Sequence, residues 1–222
     1  MKSAPIIITI DGPVASGKTS ASRRIAEIHG WAWVSTGAFY RGLAYVAKRE
    51  AISLDDEDAL SKLCASEIWE VRTSSERTKI YLREEDVTAE IYSEEIGAAA
   101  SLVSRYPKVR ENLLAAQRQC AVGVKGLVAE GRDCGTVVFP HAAVKIYLTA
   151  GSESRAERRA KEEGKNIEET MNSQQLRDRQ DSTRKAAPMQ IPAEAHVIDS
   201  SSHNLNEVVE LINKLVMKEL EL

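Results

Sequence analysis

A glycine-rich segment near the start of the chain has the residue types and spacing of a phosphate-binding loop. Residues 12–19 are GPVASGKT, which fits the pattern G-x-x-x-x-G-K-[ST]. The β-branched run Ile6–Ile10 before it predicts a buried strand, and Lys18–His29 after it predicts a helix. Such a loop points backbone N–H groups inward, and the helix N-terminus adds donors and a favourable dipole. The segment therefore predicts a site for the phosphates of a nucleoside triphosphate.

Side chains of the same loop can complete that site. The Lys18 ammonium can reach the β- and γ-phosphates, and the Thr19 hydroxyl is placed to ligate Mg²⁺. A glycine-rich turn without a ligand is the alternative, and the match in both pattern and context argues against it. The residues predicted to bind ATP here are Gly12, Pro13, Val14, Ala15, Ser16, Gly17, Lys18, Thr19 and Ser20.

Arginines further along the chain predict a second substrate that is itself phosphorylated, because guanidinium groups bind phosphate through paired hydrogen bonds. Arg41 lies one turn into a predicted helix, and Arg110 lies on an amphipathic helix. Arg132 and Asp133 follow the run GLVAEG, at the C-terminal end of a predicted strand, where open α/β sheets place ligands. An isolated arginine is often a solvated surface residue, whereas the glycine-flanked pair Arg132 and Asp133 favours a site.

The elements that would position these residues alternate between strands and helices. The runs Trp31–Val34, GLVAEG, VKIYLTA and HVIDSS predict further buried strands. Thr36 is the expected N-cap of a helix whose apolar face comprises Phe39, Leu43, Val46 and Ala47. Asn204 and Glu207 have the spacing of a capping box at the last helix. The alternation predicts an α/β fold with a parallel sheet and helices on both faces.

Two segments interrupt the alternation. Ile68–Val71 and Thr78–Leu82 alternate in polarity around TSSER, which predicts a β-hairpin. The segment from Gly151 to Lys185 is helical in pattern and carries nine basic and eight acidic residues, so it lacks the charge bias of a nucleic-acid-binding tail. A solvated helical pair and a mobile lid that excludes water from the triphosphate both fit this segment.

Composition limits the class of protein. The chain has 222 residues, enough for one large domain or two small domains with a sizeable core. Its net charge of −3 indicates no general preference for polyanions. Cys64, Cys120 and Cys134 are scattered and odd in number, which argues against a disulfide framework or a zinc site. No signal peptide, membrane-length run or unassigned apolar stripe is evident. We therefore expect a cytoplasmic monomer that binds neither nucleic acid nor a membrane.

Five segments together resemble the bacterial cytidylate kinases: IDGPVASGKT, STGAFYRGLA, YPKVRENLLAAQR, AEGRDCGTVVFPHAAVKIYLTA, and DSTRKAAP with VIDSS. The resemblance extends from about Ile6 to the C-terminal helix, and Glu130–Pro140 is its most specific part. It implies a P-loop nucleoside monophosphate kinase fold with a parallel sheet core, a lid and a small antiparallel sheet insert. The implied activity is phosphoryl transfer from ATP to CMP or dCMP with Mg²⁺, in pyrimidine nucleotide metabolism.

The resemblance also implies a division of the chain and a role for each matching residue. Residues 1–222 would form one domain, with a core (1–35, 105–150 and 190–222), a monophosphate-binding region (about 36–104) and a lid (about 151–187). The implied catalytic residues are Lys18, Arg41, Arg132 and Arg184. The implied CMP-binding residues are Arg41, Arg132 and Arg184 for the phosphate, Thr36, Arg110 and Asp133 for cytosine, and Ser101, Arg177 and Asp181 for the sugar. The lid residues Arg155, Arg158 and Arg159 would face ATP.

The chemistry of cytosine agrees with the implied role of Asp133. A carboxylate accepts from the exocyclic amine of cytosine, whereas uracil presents an acceptor at the same position. A site built on hydrogen bonds rejects the wrong base strongly, because its buried groups stay unpaired. We therefore expect CMP and dCMP to be preferred over UMP.

Some residues depart from the family's pattern. Ser35 stands where Asp is usual, Val14 and Ala15 stand where many members have Gly or Ser, and Gly is common at the position of Thr19.

Another small-molecule P-loop kinase, of the UMP/CMP or shikimate type, is one alternative function. A nucleotide-binding module without an acceptor is the other, although the guanine-reading motif of a switch GTPase is missing.

Overall fold

The centre of the computed structural model, which describes residues 4–74 and 77–221, is a five-stranded parallel sheet. Its strand order is β2-β6-β1-β7-β8, and every pairing in it is parallel. The strands are β1 (Ile6–Asp11), β2 (Ala32–Ser35), β3 (Trp69–Thr73), β4 (Thr78–Leu82), β5 (Glu85–Asp86), β6 (Gly126–Gly131), β7 (Val144–Thr149) and β8 (His196–Asp199). The predicted α/β architecture with a parallel sheet is confirmed.

Helices cover both faces of this sheet. They are α1 (Lys18–His29), α2 (Thr36–Arg49), α3 (Glu57–Cys64), α4 (Glu94–Val103), α5 (Pro107–Gln119), α6 (Ser152–Glu163), α7 (Ile167–Thr183) and α8 (Leu205–Glu219). On one face, α1 and α8 share a core with β1 and β7, and on the other face α2 and α5 pack against β6. Strands covered on both sides need continuous apolar runs, which explains the sequences IIITI and GLVA.

The start of α2 differs from the sequence-based expectation. The helix begins at Thr36 itself, Ser35 occupies the N-cap position, and no side chain caps the helix. The Thr36 hydroxyl instead donates to the backbone carbonyl of Glu130 (3.0 Å). The predicted Thr36 cap is therefore wrong. No residue separates β2 from α2, and the Thr36 hydroxyl is bonded to the adjacent strand β6. The predicted apolar face of α2 is buried as expected.

The predicted capping box of α8 is confirmed. Asn204 accepts a hydrogen bond from the backbone N–H of Glu207 (3.1 Å), and the Glu207 carboxylate accepts one from the backbone N–H of Asn204 (2.8 Å). These two bonds satisfy donors that the first helical turn leaves free. They fix the point at which the chain leaves β8 and turns back over the sheet.

The predicted hairpin is confirmed, and it forms a small antiparallel sheet of β3, β4 and β5. Residues 75 and 76, which belong to the predicted turn TSSER, lie outside the described residues. The hairpin is fastened to the main sheet by Thr78, whose buried hydroxyl accepts from the backbone N–H of Ser35 (2.9 Å). It packs on α2 at Gly42, where an added Cβ would lie 3.0 Å from Trp69.

The charged segment forms α6 and α7, which pack against each other and against the mouth of the P-loop. Helical structure was predicted for this segment, and the two helices are observed where the charge-rich pattern lies. The division of the chain into a core, a monophosphate-binding region and a lid stays a prediction.

Candidate active site

A cleft of about 370 Å³ opens where β1, β2 and β6 end, a size within the range of small-molecule sites. It brings together residues from the P-loop, α2, α4, the end of β6, α6 and α7. The predicted site residues that line it are Val14, Ala15, Gly17, Lys18, Thr19, Ser20, Thr36, Arg41, Ser101, Arg132, Asp133, Arg158, Arg159, Arg177, Asp181 and Arg184. The predicted residues that lie outside its lining are Gly12, Pro13, Ser16, Arg110 and Arg155.

The P-loop contains backbone conformations that favour glycine, and two of the three positions concerned are glycines. Gly12 has φ +152°, and a Cβ there would lie 2.0 Å from the backbone oxygen of Leu148. Gly17 (φ +87°) precedes α1, and Ala15 is left-handed with φ +57° although it is not glycine. These residues turn the chain sharply into α1, whose first-turn N–H groups lack intrahelical partners. The loop thus has the shape of an anion cradle.

Lys18 is folded back onto this loop. Its Nζ donates to the backbone oxygen of Pro13 (2.6 Å) and lies 3.5 Å from the Ser16 hydroxyl. Burial lowers the pKa of Lys18 to about 7, and the neighbouring charge of Arg132 acts in the same direction. An anion placed in the cradle would favour the charged ammonium.

A carboxylate at the end of β6 joins three neighbouring segments, and the sequence reasoning gave it no role. Glu130 Oε1 accepts hydrogen bonds from the Ser35 hydroxyl and from the Thr19 hydroxyl (3.4 Å). Ser35 and Glu130 are register partners on β2 and β6, so the sheet itself places them together. The signal in the sequence is a glutamate at the end of a buried apolar strand.

The cleft concentrates positive charge between α2 and α7. Arg41 donates to the backbone oxygens of Ile91 (2.7 Å) and Ser93 (3.1 Å), and burial lowers its pKa to about 10, with Arg177 adding to the effect. Burial and then the charge of Arg132 lower the pKa of Arg177. Among the described residues, Arg177 Nε and Arg184 Nη2 are buried without a hydrogen-bond partner. Buried donors that lack a hydrogen bond in a cationic cleft indicate an anionic ligand.

Two carboxylates hold these arginines in place. Asp181 accepts from Arg132 Nε (2.9 Å) and lies 3.6 Å from Arg184. Asp133 is bonded to Arg110 and lies 3.5 Å from Arg184. Arg110 itself lies behind Asp133 and outside the cleft lining, so its predicted contact with cytosine stays a prediction.

Several side chains that were predicted to contact a ligand form hydrogen bonds within the protein. The Ser101 hydroxyl donates to the backbone oxygen of Gly97 (3.3 Å), and Arg158 donates to the backbone oxygen of Ser200. Arg155 donates to the backbone oxygen of Val14 (2.8 Å) and does not reach the cleft. Of the three predicted lid arginines, Arg158 and Arg159 therefore face the cleft.

Asp11, at the end of the central strand β1, is a second carboxylate that the sequence reasoning missed. It accepts hydrogen bonds from the backbone N–H groups of Cys134 (2.8 Å) and Gly135 (2.7 Å). Burial raises the pKa of Asp11 to about 6, although these two bonds act in the opposite direction. The aspartate fixes the π-helical turn Cys134–Val138, which directly follows Asp133.

A sequence model of the family described as cytidylate kinase matches residues 8–218. The chain belongs to the cytidylate kinase family. It is 54% identical over 215 residues to a cytidylate kinase of Bdellovibrio bacteriovorus, covering 97% of this chain and 99% of that protein. It is 44% identical over 225 residues to a cytidylate kinase of Colwellia psychrerythraea, covering 98% of this chain and 97% of that protein.

Family membership confirms the resemblance and the prediction of a phosphotransferase. Among solved structures, TT1252 from Thermus thermophilus aligns with a TM-score of 0.52 at 19% identity, covering 98% of this chain and 99% of that one. An uncharacterized protein from Eubacterium ventriosum aligns with a TM-score of 0.54 at 12% identity, covering 95% of this chain and 98% of that one. At such identities the two structures show a shared fold alone.

Within residues 4–74 and 77–221, no group of three or more His, Cys, Asp and Glu side chains is arranged to hold a metal ion. No helix in these ranges is long and apolar enough to cross a membrane.

Proposed function

We propose that this member of the cytidylate kinase family transfers the γ-phosphoryl group of ATP to CMP and dCMP. The observation that carries the proposal is that the P-loop shares one cleft with two buried guanidinium donors, Arg177 Nε and Arg184 Nη2, that form no hydrogen bond within the described part of the chain. The cradle suits the triphosphate of the donor, and the arginines suit the phosphate of the acceptor. Asp133, on the wall of the same cleft, suits the amino group of cytosine.

The transfer requires charge stabilisation and alignment rather than a general base. The attacking oxygen of a nucleoside monophosphate is already anionic, so no proton needs to be removed from it. Lys18 and the arginines Arg41, Arg132 and Arg184 neutralise charge on the phosphoryl group as it moves between two anions. Asp181 orients two of these arginines, because it lies within 4 Å of both Arg132 and Arg184.

Magnesium fits the oxygen groups at the start of α1. Mg²⁺ prefers hard oxygen ligands and is usually held by one or two side chains together with substrate phosphates. The Thr19 hydroxyl would bind the ion, and the Glu130 carboxylate, 3.4 Å from that hydroxyl, would hold its water ligands. The bound ion supplies charge neutralisation of the phosphates. Ser35 keeps Glu130 oriented toward Thr19 through its own hydrogen bond.

Selection of cytosine depends on Asp133 being fixed as a charged acceptor. Arg110 and Arg184 flank the carboxylate and hold it in place as its ion-pair partners. The exocyclic amine of cytosine can donate to it, whereas the corresponding oxygen of uracil would face it lone pair to lone pair. We therefore propose that CMP and dCMP are strongly preferred over UMP.

We also propose roles for the regions around the cleft. Residues from about 36 to 104 form the monophosphate-binding region, residues from about 151 to 187 form the lid, and Arg158 and Arg159 contact ATP. The site at Ser101, Arg177 and Asp181 holds the sugar. A role in pyrimidine nucleotide metabolism, a cytoplasmic location and a monomeric state are proposed on the resemblance to bacterial cytidylate kinases alone.

The deciding experiment measures ADP release from ATP and Mg²⁺ with CMP, dCMP, UMP, AMP, GMP and shikimate as separate acceptors. We expect rapid turnover with CMP and dCMP only. Turnover with UMP at a similar rate would contradict the role of Asp133 and leave the reaction class intact. Turnover with shikimate, or with none of the acceptors, would contradict the proposed function itself.

A further inference from the structure

Side chains of α6 and α7 form hydrogen bonds with the backbone of one P-loop residue, Val14. Asp178 on α7 accepts a hydrogen bond from the backbone N–H of Val14 (2.9 Å). Arg155 on α6 donates to the backbone oxygen of Val14 (2.8 Å). Arg155 and Asp178 also bind each other (2.6 Å), which closes a ring around this residue. Both peptide groups of Val14 are therefore held by one ion pair that bridges the two helices.

This ring is built to keep one geometry. The Arg155 side chain is 9% exposed and that of Asp178 is 16% exposed, so the pair is largely withdrawn from water. Arg155 is anchored a second time, through Nε to the backbone oxygen of Ala150 (3.1 Å), directly after β7. A buried ion pair keeps its place only where its remaining hydrogen bonds are satisfied, and here each bond goes to a fixed backbone group.

Val14 itself lines the cleft, whereas the lining residues do not include Arg155 or Asp178. Directly after Val14, Ala15 takes a left-handed φ of +57°, and Gly17 leads into α1. A left-handed alanine is strained, and surrounding contacts must maintain it. The ring provides such contacts, because it fixes the peptide groups of the residue immediately before Ala15. The Asp178 carboxylate also favours the charged form of Lys18 at the other end of the loop.

We propose that Asp178 and Arg155 are positioning residues that couple α6 and α7 to the P-loop, so that the loop takes its triphosphate-binding geometry only while both helices are docked on Val14. This assigns Arg155 a role different from the predicted contact with ATP. The inference rests on the proposed function for the identity of the donor. It concerns the ATP side of the cleft, and the CMP side is held by other residues.

The test compares Asp178→Ala, Asp178→Asn and Arg155→Ala in the full-length enzyme, with ATP and CMP varied in turn. For Asp178→Ala we expect the KM for ATP to rise about tenfold or more, the change expected from losing hydrogen bonds to a charged group, and the KM for CMP to stay unchanged. Asp178→Asn should recover part of the loss, because an amide oxygen still accepts from Val14. The double variant Asp178→Ala with Arg155→Ala should be no worse than the worse single variant.

A matched control is Arg179→Ala, which removes an exposed charge one residue further along α7 and should leave both KM values unchanged. Equal changes in the two KM values, or none, would overturn the inference. Tighter ATP binding by Asp178→Ala would also overturn it, since the carboxylate would then be a competitor of the phosphates. If Asp178→Ala does not fold, Asp178→Asn and Arg155→Lys decide the matter by the same split.

The wild-type enzyme separates this inference from the proposed function. Turnover of CMP by the wild type establishes the donor and acceptor before any variant is compared. If the wild type does not phosphorylate CMP, the proposed function fails. The coupling is then tested by direct calorimetric titration of the same variants with ATP, where the same loss of affinity is expected.

Discussion

At the scale of single residues, Lys18 combines a buried ammonium with an anion cradle. Burial lowers its pKa to about 7, so in the free protein it is largely neutral at pH 8. The phosphates of ATP favour the charged form and raise this pKa on binding. ATP binding at pH 8 should therefore take up close to one proton at Lys18.

Calorimetric titrations with ATP in two buffers of different ionisation enthalpy measure this uptake. The same titrations at pH 6 provide the control, because Lys18 is then already charged and the uptake should be smaller. Equal uptake at the two pH values would show that Lys18 is not the group that titrates.

Asp133 is the residue on which base selection is proposed to depend. In Asp133→Asn the side chain can present its amide N–H₂ to the oxygen of uracil, and it no longer faces cytosine as a charged acceptor. We expect kcat/KM for CMP to fall on the order of 10²-fold and that for UMP to fall less or to rise, since unpaired polar groups dominate such discrimination.

Acceptor kinetics with CMP and UMP, at saturating ATP, check the prediction. Because Asp133 also neutralises Arg110 and Arg184, the thermal midpoint of the variant is measured alongside. A parallel loss with both acceptors would mean that the substitution damages the cleft as a whole and that Asp133 does not choose the base.

Arg132 directly follows β6 and directly precedes Asp133. It is one of the arginines proposed to neutralise charge on the phosphoryl group during transfer. Removing one charge that stabilises a transferring phosphoryl group lowers kcat by about 10²–10⁴-fold in comparable sites. Arg132→Ala should show a loss in this range when ADP release is measured with ATP and CMP. Arg24→Ala, which removes an exposed arginine paired with Glu27 on α1, is the control expected to retain full activity. Near-normal turnover by Arg132→Ala would refute the proposed role.

The site residues that the sequence predicts most directly belong to short contiguous motifs, whose residue types and spacing indicate a chemical role. The P-loop is contiguous, so its glycines, lysine and threonine are recognisable together. Glu130, Asp178 and Asp11 could not be predicted in the same way, because their partners Ser35, Val14 and Cys134 lie far away in the sequence. A carboxylate acquires its role only when the fold brings a specific donor to it.

At the scale of elements, the capping box at α8 is a local feature with a local effect. Asn204→Ala removes one of its two hydrogen bonds, and loss of an N-cap side chain costs about 1 kcal/mol of stability. Urea unfolding should therefore show a lower midpoint with an unchanged slope. Activity should be unaffected, because α8 contributes no residue to the cleft lining.

The matched control for this prediction is Asn172→Ala, at an exposed position inside α7. Alanine is a better helix former than asparagine there, so no destabilisation is expected. A similar loss of stability in both variants would mean that the capping bonds contribute nothing of their own.

Element boundaries were predictable where the sequence acts alone and were wrong where a neighbouring strand intervenes. The Asn204 box forms as predicted because both of its members lie in one turn of the chain. The cap at Thr36 failed because β6 competes for the hydroxyl, and the pairing of β6 beside β2 is a long-range event. Periodicity predicted the apolar face of α2 correctly, since that face would be buried by any sheet beside it.

At the scale of the whole molecule, the strand order explains how the site is assembled. Because β6 lies between β1 and β2, its C-terminal end delivers Glu130–Asp133 beside both the P-loop and Ser35. The alternation of strands and helices predicted a parallel sheet, but it did not specify this order. The pairing Ile6↔Gly126 joins residues that lie more than half of the chain apart in the sequence. No local pattern encodes which strands become neighbours over such a separation.

Asp11 links this architecture to the stability of the molecule as a whole. It lies at the end of the central strand, and its pKa is raised from the usual 3.8 to about 6 by burial. Below pH 3.8 the group is protonated in the folded and the unfolded state, and it has no differential effect. Above pH 6 it is ionised in both states, and the folded state carries the full cost of the buried charge. The folded state should therefore lose up to about 3 kcal/mol of stability from this group as the pH rises from 4 to 7.

Comparison with Asp11→Asn isolates this contribution. The substitution removes the titration, so the free energy of unfolding of the wild type minus that of the variant should be larger at pH 4 than at pH 7. Urea unfolding at several pH values between 4 and 7 measures the difference. Lys18 does not confuse the result, because its lowered pKa changes stability between about pH 7 and 10.5, above this window. A difference that is constant with pH would mean that the two backbone N–H groups keep Asp11 ionised in the folded protein, and that they outweigh burial.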